Sequence, residues 1–184
     1  ECNYELQRTI PTGYAGDTKA EENGWETNIL AATLGLFPEH ELAPRWFERL
    51  REFAINCYSH PADANNHTII DPDYNSKTVA DLYRGQNLYD DYTLQNHNLF
   101  HTSYQNVVMQ ELGESALALK LFQQTLYQKE KWKTNALMHN NREVMTHVLY
   151  WLALADGELA MPNGNDWSLF LYDQITSYST MACF

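Results

Sequence analysis

Trp46-Phe47-Glu48-Arg49-Leu50-Arg51-Glu52-Phe53-Ala54-Ile55-Asn56-Cys57-Tyr58 decides the fold. Trp46, Phe47, Leu50, Phe53, Ala54, Cys57 and Tyr58 recur every three to four positions, which lays one apolar stripe along an α-helix. The helix opens near Pro44, a residue tolerated in a first turn, and stops at Ser59-His60-Pro61. Cys57 falls in the stripe and reads as a small core residue. Upstream, Thr18 with Glu21 three residues on predicts a capping box. Trp25, Ile29, Ala32 and Leu36 then keep a helical phase until Phe37-Pro38. The connection between the two runs is about four to six residues long, which predicts an antiparallel helical hairpin.

Downstream the pattern changes. Residues 60–101 hold Pro61, Pro72 and scattered Asn and Asp, with no sustained period. One short helix is expected at Thr78–Tyr83, ended by Arg84-Gly85. A connection this long inside one domain reads as a functional loop. From Ser103 to Tyr127, Val108, Leu112, Ser115, Leu119, Phe122 and Leu126 hold one phase across Gly113, predicting a single helix kinked at that glycine. A fourth helix is expected over Thr134–Ala155, with Leu137, Val144, Val148, Trp151 and Ala155 on one face and Asp156-Gly157 closing it. A fifth starts at Asp166, a good N-cap, and runs to the chain end. No segment alternates as a strand. The predicted class is all-α, built of antiparallel helical hairpins.

A length of 184 residues allows one domain, or part of a larger one. With 44% apolar and 20% charged residues, the chain can pack a core. Twelve basic against 24 acidic residues give a net charge of −12, a field that repels phosphate backbones and anionic headgroups. Nucleic-acid binding and peripheral membrane attachment are not expected on that ground, and no apolar run approaches the ~18 residues of a membrane span. Three cysteines without a CxxC pair make neither a zinc site nor a disulfide scaffold. The chain opens at Glu1-Cys2 and closes inside an apolar stretch, so a piece of a longer protein is expected, with any targeting segment outside it.

Helices joined by hairpin connections alternate in direction. The segments leading into the first, third and fifth helices (16–25, 93–104 and 161–167) should therefore gather at one end. They hold a large share of the chemistry-bearing side chains, while 39–41 and 127–130 read as solvated turns. Helix N-termini also offer free N–H groups and a positive dipole end, which suits oxygen-rich ligands. A concave site is expected where the three odd lead-ins meet.

Antiparallel hairpins opening onto one rim resemble an α/α toroid, the scaffold of many polysaccharide-degrading enzymes. Asn96-His97 with Tyr104 downstream resembles the Asn-His…Tyr set of the chondroitin AC/alginate lyase and heparinase II/III-like families. The segments Asp17-Thr18-Lys19-Ala20-Glu21-Glu22-Asn23…Trp25 and Asn163-Gly164-Asn165-Asp166-Trp167 look like those of uncharacterised bacterial proteins of the same architecture. Five helices cover only part of such a ring. The resemblance implies a secreted or periplasmic polysaccharide lyase that cleaves an acidic glycan by β-elimination without a cofactor. It assigns Asn96 to neutralising the uronate carboxylate, His97 to removing the proton and Tyr104 to protonating the leaving oxygen. Histidine suits a base because its ordinary pKa lies near ~6.5. His101, one helical turn from His97, joins the substrate-binding set. Asn98 stands where a zinc protease needs glutamate, and no metal is expected.

The charge argues the other way. At −12 the chain repels a polyuronate unless the cleft is locally basic, and the lead-ins supply only Lys19 and Arg84 as clamps for a carboxylate. The alternative is a glycoside hydrolase of neutral or mildly acidic sugars. It would pair Asp17, Glu21 or Glu22 with Asp166, and stack the sugar on Trp25 or Trp167 beside Asn163. Acids in a first helical turn also serve simply as caps. A third alternative is a non-catalytic helical module that binds glycan or a protein. The expected partner is an oligo- or polysaccharide, and an incomplete ring leaves apolar flanks through which the chain can self-associate.

Overall fold

The computed structural model describes residues 2–13, 15–162 and 164, and these are mostly helical. A single turn, α1 (Cys2–Glu5), precedes α2 (Ala20–Leu36) and α3 (Ala43–Cys57). A 3-10 turn at Pro61–Asn65 and the short α4 (Val79–Leu82) punctuate the long connection. Two-residue strands β1 (Gln95–Asn96) and β2 (Leu99–Phe100) form an antiparallel hairpin just ahead of α5 (Thr102–Phe122). The chain continues through a wide π-type turn at Gln123–Tyr127 and a 3-10 turn at Asn135–Met138. Then come α6 (Asn141–Val144), a second π-type stretch at Met145–Leu149, and α7 (Tyr150–Leu152).

α3 carries the apolar stripe the sequence predicts, burying Phe47, Leu50, Phe53, Ala54 and Cys57. α2 lies antiparallel to it: Asn23 in the first turn of α2 donates to the carbonyl of Asn56 in the last turn of α3. α5 runs parallel to α2, with Gly24 against Val108 and Glu111, Thr27 bonded to Ser115 at 2.6 Å, and Gly35 against Ala118 and Phe122. A Cβ at Gly35 would lie 2.8 Å from that of Phe122, so only glycine admits this approach. Parallel α2 and α5, with α3 reversed, is the alternation that brings two odd lead-ins to one pole. Asn56 also fixes the long connection there: it donates to Leu82 O at 2.9 Å and accepts from Arg84 N at 2.8 Å and Asn87 Nδ2 at 2.5 Å.

Four local expectations need correction. The capping box at Thr18 does not form. Lys19 precedes the helix without a side-chain cap, and Thr18 instead exchanges hydrogen bonds with the backbone of Gln95, at 2.9 Å and 3.2 Å. α5 passes Gly113 without interruption, and the irregularity falls at Gln123. The side chain of that buried glutamine accepts from Lys131 N and Trp132 N and donates to Trp132 O, replacing helical partners with the returning chain. The fourth helix starts at Asn141 rather than Thr134 and stops at Leu152. Asn140 adopts φ +55° so that its amide reaches Tyr58 O at 2.8 Å and Asp63 at 2.9 Å, and an isolated bridge from Ala153 to Leu159 replaces the last turn. Finally, a small hairpin exists where no strand was expected. The helix expected from Asp166 lies outside the described residues.

Candidate functional site

The site starts from a turn. Gln95 pairs with Phe100 and Asn96 with Leu99, leaving His97-Asn98 as a two-residue hairpin loop. Both adopt positive φ, +51° and +65°, as the turns whose twist matches antiparallel strands require. Asparagine and histidine tolerate that region better than most residues. The loop docks on the chain ahead of α2: Asn98 N donates to Gly16 O at 2.9 Å, and Gly16 N donates to Gln95 Oε1 at 3.0 Å. Gly16 has φ +89°, and a Cβ there would collide with the Asn98 side chain.

His101 then caps α5, its buried Nδ1 accepting from Tyr104 N at 3.3 Å. The rings of His97, His101 and Tyr104 meet edge to face, with centroids 5.8 Å (His97–His101), 5.5 Å (His97–Tyr104) and 4.4 Å (His101–Tyr104) apart. His97 is exposed and Tyr104 is buried. Asn96, also buried, donates through Nδ2 to Glu21 Oε1 at 2.6 Å, so the hairpin and the first turn of α2 share one polar contact. An amide Nδ2 carries two hydrogens, and this bond uses one of them.

Beside that contact, Asp17, Glu21 and Glu22 each bring a carboxylate oxygen within 4.8 Å of the others. Lys19 Nζ lies 2.7 Å from both Asp17 Oδ2 and Glu22 Oε1. Burial disfavours its charge, but the hydrogen bonds to Asp17 and Glu22 outweigh burial and hold the ammonium above its ordinary range. Burial pushes the Glu21 carboxyl up to about 7, reinforced by the charges of Glu22 and Asp17. Trp25 stands exposed one turn along α2.

The third lead-in reaches the same place as far as it is described. Thr102 donates to Ala160 O at 3.2 Å, and Ser103 Oγ lies 3.8 Å from Met161 Sδ. Asn163, Asp166 and Trp167 lie outside the described residues. Arg84 is committed elsewhere, to Glu52 at 2.8 Å and to the carbonyls of Asp81 and Tyr83. Two surface cavities, of about 320 and 400 Å³, sit at the opposite pole around Pro44, Tyr74 and Trp132. Neither coincides with the ring cluster.

Sequence reasoning missed Gln95, whose Oε1 accepts from Gly16 N and from the Tyr89 hydroxyl at 2.9 Å. The signal was present as a hairpin turn, two polar residues tolerant of positive φ between Asn96 and Leu99. The chain matches no protein-family model, and no curated protein or solved structure shows significant similarity to it.

Proposed function

We infer that this chain is part of a carbohydrate-active enzyme with an α/α-toroid architecture, and that its rim cleaves an acidic glycan by β-elimination. The observation that carries the reading is the contact of the His97, His101 and Tyr104 rings one residue from Asn96. β-Elimination needs a base for the proton alpha to the uronate carboxylate and an acid for the departing glycosidic oxygen. His97, exposed at the hairpin tip, takes the proton, and the Tyr104 hydroxyl returns one to the leaving oxygen. His101 holds Tyr104 in register from the helix cap, and Asn96 offers its second amide hydrogen to the carboxylate. The enzyme acts outside the cytoplasm, where such glycans are met.

One observation favours a second reading. Glu21 titrating near 7 in the presence of an exposed Trp25 is what a glycoside hydrolase asks of its general acid. Products separate the two. On polyuronate the lyase yields unsaturated ends that absorb in the ultraviolet; a hydrolase yields reducing ends without that absorbance; a binding module yields neither. For the lyase, His97→Ala and Tyr104→Phe should each lower kcat by about a hundredfold or more. Full turnover in both variants, with the fold intact by circular dichroism, would overturn the assignment.

A further inference from the structure

We propose that Asp17, Glu21 and Glu22 form a calcium site, in which the ion takes the place now held by the Lys19 ammonium. Three carboxylates lie close together, and the Lys19 ammonium bridges two of them, Asp17 and Glu22. Glu21 supplies the independent sign. It is 3% exposed, one oxygen is met by Asn96, and Oε2 is buried with no hydrogen-bond partner. A buried carboxylate oxygen left without a partner is destabilising, more so when charged, and a cation within reach answers it.

The donor set names the ion. All three groups offer oxygen, the donor of hard cations rather than zinc or copper. The three oxygens lie within 4.8 Å of one another, close enough for one cation to reach all of them, and calcium accepts irregular oxygen shells at about 2.3–2.6 Å. Magnesium demands a near-regular octahedron, keeps several of its waters and is usually held by one or two carboxylates, which suits a set of three less well. The frame is set before any ion arrives. Asp17 follows the Gly16 turn that Gln95 and Asn98 pin, and Glu21 and Glu22 sit in the first turn of α2. Lys19 is one-fifth exposed, and its long stem can carry the ammonium out to water when a divalent ion competes for the oxygens. If the elimination reading also holds, the ion supplies the positive charge that an acidic substrate needs beside Asn96.

Calorimetry and thermal unfolding on chelator-treated protein, with no glycan present, test the site apart from the activity. Calcium chloride should bind saturably and raise Tm, and magnesium chloride at equal ionic strength should do so at least about tenfold more weakly. Glu22→Gln and Asp17→Asn, at partly exposed positions, should each weaken calcium binding about tenfold or more. Lys19→Met should tighten it by at least about tenfold, because it removes the competing charge. Equal responses to calcium and magnesium, binding unchanged in both carboxylate variants, or no saturable binding in the wild type and in Lys19→Met, would each overturn the site. Elimination that persists in chelator alongside failed binding would remove the calcium and keep the lyase. Tight calcium binding without any glycan cleavage would do the reverse.

Discussion

At the scale of the residue, burial decides what Glu21 does. In the unfolded chain its carboxyl titrates near 4.5, and in the folded chain burial raises it to about 7. The folded state holds the proton longer, so this group's contribution is most favourable below pH 4.5 and is lost as pH rises through 7. The loss is on the order of 3 kcal/mol at full ionisation. In metal-free buffer, the urea midpoint of wild type relative to Glu21→Gln should fall over that window. A difference that stays flat from pH 4 to about 8 contradicts it. Asn96 shows why such detail escapes sequence reading. The dipeptide Asn96-His97 reads as a pair, but strand pairing sends Asn96 into the interior against Glu21 and leaves His97 outside. The end of a strand and the start of its turn separate neighbours that a motif treats as one unit.

Single side chains also settle where elements begin and end. Asp63 accepts from His60 N at 2.8 Å, His139 Nε2 at 2.9 Å and Asn140 Nδ2 at 2.9 Å, so one buried carboxylate ties the turn after α3 to the start of α6. Burial alone would raise its pKa, but the His139 hydrogen bond and charge bring it below the ordinary value. Its stabilisation is present above the unfolded value of 3.8 and disappears as pH falls through the lower folded value. Asp63→Asn turns an acceptor into a donor facing donors and should cost about 2–3 kcal/mol in urea unfolding; an unchanged midpoint would show that the tie carries no weight. The seam between α2 and α5 is equally local in origin. Gly35→Leu must displace Phe122 and the Ala118 carbonyl, 2.8 and 3.1 Å from the new Cβ, and should destabilise by roughly 1–3 kcal/mol. Wild-type thermal stability in that variant would mean the two helices separate more easily than their contact implies.

On the scale of the whole molecule, two parallel helices meet along small and polar residues and leave apolar side chains outside. Trp25, Ile29 and Leu36 are exposed on α2, and Leu117 and Leu121 on α5. Light scattering should show concentration-dependent association, suppressed when Ile29→Glu and Leu121→Glu are combined. A wild type that stays monomeric at every concentration would mean these stripes have no mutual affinity. The linear pattern settled much of the architecture. The α3 stripe, its Pro44 start and the break at Phe37-Pro38 gave a hairpin, because apolar periodicity and proline geometry act within a few residues. The direction of α2, α3 and α5 was legible for the same reason, and the meeting of the Gly16 and Asn96 regions follows from it. What the linear pattern could not carry was competition for hydrogen bonds between distant segments. Thr18 is taken from its helix by Gln95, 77 positions away, and Asn140 breaks a helix to reach Asp63, 77 positions back. Glu21 becomes an unusual acid only when folding buries it beside Glu22 and Asp17. Such partners exist only once the chain has closed on itself, because burial strips away the water that would otherwise satisfy these groups.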